Sequence, residues 1–351
     1  MNTKSKFLAI FIQLWSNLTD PRSRDQGLSF VCFIVIDKQS IYQAGLINYG
    51  PPNILERLKF LIMLTKFNAF LKKLKGVDSL DRLNELTNPD KWDNPAWTRI
   101  HRELESYAVD KHCFSDTKTH AYRKGWEWTQ CIWGLHALGA INKHAKALGV
   151  GAGHEPVLYY LTDYIQEVVG TDLYGNDAWT NNAVGGNEAS AAVLENADAF
   201  CPRSYEKSRL RLLNMDGTDL QFNDEYFDFV WSLSSIEHFG GHAKAKQAMA
   251  EMARVTKKNG VIAVATEFII TPDCRDHPEF FTKALFEKYI LNASPRLEPV
   301  ETMNYDLPAL EYLIDPIMIH LDGDVHRTRH HIILNNGHVQ WTSVICFFRR
   351  V

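Results

Sequence analysis

The sequence has no long apolar run. Its best candidates, "KFLAIFIQLW" at 6–15, "SFVCFIVI" at 29–36 and "FLIML" at 60–64, fall well short of the roughly 20 residues needed to cross a bilayer. No small-residue cleavage site follows the first of them, so it reads as an ordinary helix and not as a leader. There is also no CxxC pair and no metal-like spacing among the six cysteines, Cys32, Cys113, Cys131, Cys201, Cys274 and Cys346. That scatter excludes a zinc framework and predicts reduced thiols in a cytoplasmic setting. Charge of one sign is scarce too. The net value is −4, with 19 Lys and Arg against 14 Asp and Glu in residues 1–130 and an excess of nine negative charges in the remainder. An acidic main body excludes sequence-independent binding to nucleic acid, which draws on basic surface. What the chain does have is length and apolar content: 351 residues, 45% hydrophobic and 12% aromatic, enough for one large core or two moderate ones.

From about residue 133 onward, strand-like runs alternate with helical patterns: "AKALGV", "HEPVLYYLTDYI", "EVVGTD", "RLRLLNM", "FDFVWSL", "AKAKQAMAEMARVTK" and "GVIAVATEF". Such alternation predicts a parallel sheet covered on both faces. The chain closes with two β-rich runs around Asn335-Asn336-Gly337, a hairpin signal. The expected fold is therefore α/β: a doubly wound, mostly parallel, Rossmann-like seven-stranded sheet with a C-terminal antiparallel hairpin. Residues 1–132 lack the alternation and are expected to form a mainly helical N-terminal extension or cap on a domain spanning 133–351. Within the extension, "NILERLKFLIMLTKFNAFLKKLKG" places Phe60, Leu64, Phe67, Leu71 and Leu74 at helical spacing, with the lysines largely off that stripe. The simpler reading is a helix packed on the main domain with a solvated lysine face. The sharper one is a peripheral membrane contact through 53–75, on anionic lipid or a lipid-linked substrate. Residues 122–146 read as a helix running into the first strand, with Trp128, Ile132, Leu135 and Leu138 on one face.

Gly151 and Gly153 follow a strand and precede a helix opened by Pro156, a residue that sits well in a first helical turn. Small residues there let backbone pass close to a ligand. In a dinucleotide enzyme the ligand is a pyrophosphate and a third glycine packs the helix on the strand. Glu155 stands in that neighbourhood instead. A carboxylate repels a pyrophosphate but tolerates a cofactor that carries an ammonium and a sulfonium, and S-adenosylmethionine is such a cofactor. Glutamate in a first helical turn is also stabilised by the helix dipole whatever binds nearby. Asp172, 21 residues after Gly151, ends the next strand, where a carboxylate can accept both hydroxyls of an adenosine ribose. That feature suits NAD and S-adenosylmethionine equally.

"LLNMDGTDLQFNDEYFDFVWSLSSIEHFGG" separates the two. Asp216, Gly217, Leu220, Gln221 and Phe222, followed by Asp224, Phe227 and Asp228, resemble the pattern at the third strand end of class I S-adenosylmethionine-dependent methyltransferases of the type 11-like group. The resemblance covers about 145–270. It implies that Asp216 receives the adenine amino group and that Asp228 to Ser232 form the fourth strand. It also places Ser234 to His238 beside the reacting methyl. The cofactor-binding set it implies is Gly151, Ala152, Gly153, Glu155, Asp172, Leu173, Asp216, Gly217 and Ser232. Two positions depart from the pattern: Gly149 stands where an acid usually precedes the turn, and Glu155 where a glycine does. The expectation is that Glu155 partly replaces the missing acid.

Methyl transfer from a sulfonium is an in-line displacement, so the protein aligns nucleophile, methyl and sulfur and removes a proton when the acceptor is a hydroxyl. His238 is the first candidate for that base because imidazole titrates near neutrality, and Glu237 is placed beside it. A packing and capping role at a helix start is the competing reading of both. The cluster His320, Asp322, Asp324, His326, His330 and His331 matches no metal spacing and reads as a polar loop, so no metal is assigned. The expected acceptor is a small molecule or glycan, or a lipid-linked sugar, methylated on oxygen. An NAD-dependent oxidoreductase and a non-catalytic Rossmann-like binding module are the alternatives.

Overall fold

The computed structural model describes residues 81–109, 111–114, 121–175, 189–272, 274–308 and 331–351, with the backbone of five two-residue strands elsewhere. The chain divides into two units, Met1–Gly76 and Val77–Val351. In the first, Val31–Cys32 pairs antiparallel with Leu46–Ile47, and Ile36–Asp37 with Ser40–Ile41, short ladders that no sequence pattern announced. The expected helix at 53–75 and the His/Asp cluster other than His331 lie outside the described residues.

The second unit is built on a ten-stranded sheet. Its strands in chain order are β1 (Glu85–Leu86), β2 (Lys146–Val150), β3 (Glu167–Asp172), β4 (Leu210–Asn214), β5 (Phe227–Leu233), β6 (Thr256–Ile269), β7 (Leu297–Pro299), β8 (Ile317–Met318), β9 (Leu334–Asn335) and β10 (Gln340–Arg350). The spatial order runs β8-β9-β10-β6-β5-β2-β3-β4, with β7 and β1 also paired to β10. Pairings from β4 across to β6 are all parallel, and β10 is antiparallel to β6, β7, β9 and β1. Seven of these strands, β4-β3-β2-β5-β6-β10-β7, give the expected mostly parallel sheet. The Asn335-Asn336-Gly337 turn joins β9 to β10 as the expected hairpin. β1, β7 and β8 are the unforeseen members, because two or three residues are too few to show a period.

The order of the chain reverses between β2 and β5: β3 and β4 lie to one side of β2, β5 and β6 to the other. Such a reversal opens a crevice at the carboxyl ends of the two strands. The central strands read as near-continuous apolar runs because both faces are covered. Phe229, Trp231, Ala263, Ala265, Ile345 and Phe347 face one cluster with Trp97, Leu104, Trp126, Ile132, Leu135 and Leu158. Their neighbours Val230, Ile262, Val264, Val344, Cys346 and Phe348 face the other, with Ala245, Ala248, Met249 and Met252. The period of two along each strand thus sorts side chains between two helical layers.

The first layer is formed by α1 (Pro95–Glu105), α2 (Arg123–Ala137) and α3 (Pro156–Thr162), and the second by α4 (His242–Val255). α1 starts where Asn94 accepts from the amides of Ala96 and Trp97 at 3.0 and 3.2 Å, with Pro95 at its first position, an arrangement that satisfies donors a helix end leaves open. α2 begins where the Arg123 amide donates to the His331 carbonyl at 2.9 Å and stops at Ala137, two residues before Gly139, which has φ 68°. The boundary drawn at 132/133 falls inside α2, and Leu83, Trp92, Trp97, Leu104, Trp126 and Ile132 share one apolar cluster with the sheet. Among the described residues no helix is long and apolar enough to cross a membrane.

Candidate functional site

The glycine turn sits at the crevice. Gly151 has φ 66° and Gly153 φ 46°, conformations that glycine adopts without the penalty other residues carry. A Cβ at Gly151 would also lie 2.6 Å from Ser235 Cβ. Ala152 is buried, its amide donating to the Thr171 carbonyl at 3.0 Å. The Gly153 amide donates to Asp172 Oδ2 at 2.9 Å, and Leu173 N to Asp172 Oδ1 at 2.7 Å. The structure therefore joins the glycine turn and the acid of the next strand, two features that are 19 residues apart.

At the neighbouring strand end Asp216 is exposed and accepts from the Thr218 amide at 2.7 Å. Gly217 is buried, and a Cβ there would meet Phe239 Cε2 and Val150 Cγ1 at 2.7 Å. The Phe239 ring also lies against Gly151, so one side chain that the sequence reading missed spans both glycines. Leu173 is 41% exposed beside Asp172. Ser232 is brought no closer to the crevice: it is fully buried within β5, and its Oγ has no hydrogen-bond partner among the described residues.

Position 149 lacks an acid for a steric reason. A Cβ there would stand 2.7 Å from Trp231 Cζ2 and 2.8 Å from Ala152 Cβ. The Trp231 indole takes that room, and its Nε1 donates to Glu155 Oε1, while Trp128 Nε1 donates to Glu155 Oε2 at 3.2 Å. Glu155 is buried, and burial pushes its carboxyl up to about 8 against the pull of the two indole donors and Lys124. Trp231, the single tryptophan of β5, was the available signal for this arrangement.

On the β5 side, Ser235 Oγ donates to the Gly151 carbonyl at 2.6 Å, which binds the turn after β5 to the glycine turn. That short helical turn, Ile236–His238, carries Glu237 and His238. Glu237 is buried, with Oε2 accepting from Thr266 Oγ1 at 2.9 Å. His238 Nδ1 lies 3.6 Å from Glu279 Oε2. Burial works against the imidazolium, but the Glu279 contact and the charges of Glu237 and Glu267 outweigh it and raise the imidazole above its ordinary value. Beyond Glu237 stand Arg123, Lys124, Glu127 and Glu267, none of them anticipated. Arg123 Nη1 reaches Glu127 Oε1 at 3.0 Å and Glu267 Oε1 at 2.7 Å. The Arg123 and Glu127 spacing within "RKGWE" was visible as an i,i+4 pair, but Glu267 is 144 positions away and no local pattern links it to them. Among the described residues no group of three or more His, Cys, Asp or Glu could hold a metal ion.

The residues present suit an adenosyl group. Asp172 ends β3, Asp216 lies two residues past the end of the adjacent parallel β4, and an exposed leucine stands next to Asp172. A doubly wound sheet with such a turn and such acids is an arrangement that receives an adenosine-containing cofactor. Residues 148–264 match the family described as methyltransferase domain, and the protein is a methyltransferase that uses S-adenosylmethionine. Among solved structures, the chain is similar to a putative methyltransferase in complex with the Trm112 methyltransferase activator of Haloferax volcanii (18% identity, 75% of this chain and 96% of that one, TM-score 0.38). It is also similar to a putative sarcosine dimethylglycine methyltransferase from Galdieria sulphuraria (14%, 80% and 97%, 0.41). A third is a geranyl diphosphate methyltransferase in complex with SAM (14%, 64% and 86%, 0.42).

Proposed function

We propose that the protein methylates a hydroxyl oxygen of a small molecule, glycan or lipid-linked sugar, with Glu237 and His238 at the acceptor end of the crevice. The observation that carries this reading is the Ser235 Oγ bond to the Gly151 carbonyl, which sets an imidazole and a carboxylate next to the cofactor turn. S-adenosylmethionine supplies the electrophilic methyl group. Asp172, Leu173, Asp216 and Gly217 hold its nucleoside portion, with the turn Gly151 to Gly153 passing close to it. Glu155, clamped by two indoles, fixes the shape of that turn. His238 takes the acceptor's proton, and Glu279 orients the ring and sets the pH at which it is available, so the base form dominates only above the raised pKa.

A cytoplasmic setting agrees with the unbridged Cys113, Cys131, Cys201, Cys274 and Cys346. A peripheral membrane contact through 53–75 accompanies the lipid-linked form of the acceptor. Calorimetric titration with S-adenosylhomocysteine and with NAD, followed by transfer of labelled methyl to an acceptor panel, tests the whole. Binding of the first compound with label on an acceptor oxygen is expected. Binding of NAD alone would restore the oxidoreductase reading, binding of neither the scaffold reading, and label on nitrogen, carbon or sulfur would remove the hydroxyl acceptor.

A further inference from the structure

A cofactor whose nucleoside rests on Asp172 and Asp216 starts on the β3 and β4 side of the glycine turn. Crossing Gly151 to Gly153 brings it to β5, which flanks β2 on the other side. S-adenosylmethionine ends in an amino acid, so an α-carboxylate has to be received there. The turn itself offers an anion little: the Glu155 amide is spent on the Ala152 carbonyl at 3.1 Å, and Pro156 has no N–H. Close to the end of β5 stand the buried carboxylates of Glu127 and Glu237. A further carboxylate is stable beside them only with a cation.

The first turn of α2 supplies one. Lys124, Glu127 and Trp128 stand at i, i+3 and i+4 on one face of that helix. Trp128 Nε1 donates to Glu155 Oε2 at 3.2 Å, so this face covers the cofactor turn. One turn earlier, Lys124 Nζ donates to the carbonyl of Leu233, the last residue of β5, at 3.3 Å. The same carbonyl accepts from Ser235 Oγ at 3.4 Å, and that hydroxyl donates to the Gly151 carbonyl at 2.6 Å. One carbonyl and one hydroxyl thus link the ammonium to the glycine turn.

Its neighbours aim it. Glu127 Oε2 lies 3.3 Å from Lys124 Nζ, and Glu127 is itself pinned by Arg123 at 3.0 Å, Ser234 Oγ at 2.8 Å and Ser343 Oγ. Ser234 has φ 49°, a conformation that costs a residue with a side chain and is kept only where its surroundings impose it. Lys124 keeps 19% of its side chain exposed, so a ligand can reach it. The other basic side chains nearby are committed elsewhere: Arg123 lies between Glu127 and Glu267 at 3.0 and 2.7 Å, His238 faces Glu279 at 3.6 Å, and His154 rests against Phe200 with ring centroids 4.9 Å apart. The Lys124 bonds to Glu127 and Leu233 are at the long end for N–H···O. An ammonium on a flexible stem with three rotatable donors can turn one of them to a new acceptor at little loss.

We propose that Lys124 binds the α-carboxylate of S-adenosylmethionine and so fixes the amino-acid end of the cofactor. The assignment rests on the nucleoside placement above and is independent of the acceptor. Holding the tail beyond sulfur also sets the direction of the S–methyl bond, on which an in-line displacement depends.

Calorimetry on the full chain tests this with three ligands: S-adenosylhomocysteine, the same molecule without its carboxylate, and methylthioadenosine, which lacks the whole amino-acid end. The wild type should bind the first about ten- to hundredfold more tightly than the second, the range of a charged hydrogen bond. K124M should lose that preference, with S-adenosylhomocysteine weakened by the same factor and the other two ligands unchanged, and K124R should restore most of it. An equal loss for all three ligands would mark Lys124 as a structural residue only, and no loss would remove it from the site; either overturns the proposal. If K124M does not fold, acetylation of the wild type read by mass spectrometry decides. S-adenosylhomocysteine should then protect Lys124 and its decarboxylated analogue should not, and equal protection by both, or by neither, overturns the proposal. D172N separates the nucleoside placement, since it should weaken methylthioadenosine. Unchanged methylthioadenosine affinity in D172N, alongside a K124M loss confined to S-adenosylhomocysteine, would bring down the nucleoside placement and leave Lys124 standing. A loss in D172N with an indifferent K124M would do the reverse.

Discussion

Replacing Glu155 by glutamine should alter the pH dependence of stability in a way fixed by the two indoles around it. In the wild type burial outweighs the Trp231 and Trp128 donors and pushes the folded carboxyl from its ordinary 4.5 up to about 8. Between those two values the native state holds a proton that the unfolded state has released, so stability is fully present below pH 4.5 and declines as pH rises through 8. At about 1.36 kcal/mol per pH unit, the decline amounts to something on the order of 5 kcal/mol across the window. In E155Q that slope disappears. The amide, however, must aim its nitrogen at one of the two indole N–H groups, and the lost bond costs about 1–3 kcal/mol at every pH. The variant is thus the less stable protein in acid and the more stable one in alkali, with the curves crossing at about pH 5–7. Urea denaturation followed by tryptophan fluorescence from pH 5 to 9 measures this. A wild-type-minus-variant difference that stays constant over the range would refute the burial argument for Glu155.

E279Q removes the carboxylate that raises His238, so the acid limb of the methyl-transfer pH profile should move to lower pH, and a limb that stays in place would exclude His238 as the proton acceptor. G151A forces a side chain into φ 66° and against Ser235; backbone strain of about 1–3 kcal/mol predicts roughly a five- to hundredfold loss of S-adenosylhomocysteine affinity by calorimetry. G134A drives a methyl into the Phe347 ring on β10, and overpacking should cost about 1–3 kcal/mol in urea denaturation with cofactor affinity retained. W231F deletes one of the two donors to Glu155 and should push its carboxyl still higher, moving the midpoint of the stability decline to more alkaline pH.

The parts of the molecule that could be read in the sequence are those whose cause is local. Gly151, Gly153 and Pro156 mark the turn because a positive φ and a helix start each restrict residue type at a single position. The near-continuous apolar runs along β5, β6 and β10 show because both faces of the sheet are covered. The polar cluster at the ends of β5 and β6 could be read only in part. Arg123 and Glu127 form a visible i,i+4 pair, but Glu267 and Ser343 come from two other stretches, and buried charge acquires its meaning only from partners that folding supplies. The electrostatic argument from Glu155 did point to the right cofactor, yet the carboxylate itself is held by Trp128 and Trp231. Gly149 has no acid because an indole occupies its surroundings, which no spacing rule encodes.

β10 is the strand on which the second unit closes, and it bonds to four others. It also reaches back across the chain: Ser343 serves Glu127 at a separation of 216 residues, and Asn84 bonds to Phe347 at 263. Contacts of that span form late, because a long loop must close before they yield anything. An intermediate with β2 to β6 assembled and β10 not yet docked would have a nearly finished nucleoside crevice beside a Glu127 stripped of one of its two hydroxyl partners. Cofactor affinity should therefore appear earlier in refolding than the ability to use it, and S-adenosylhomocysteine added during refolding should act as a scaffold around which the rest of the sheet completes.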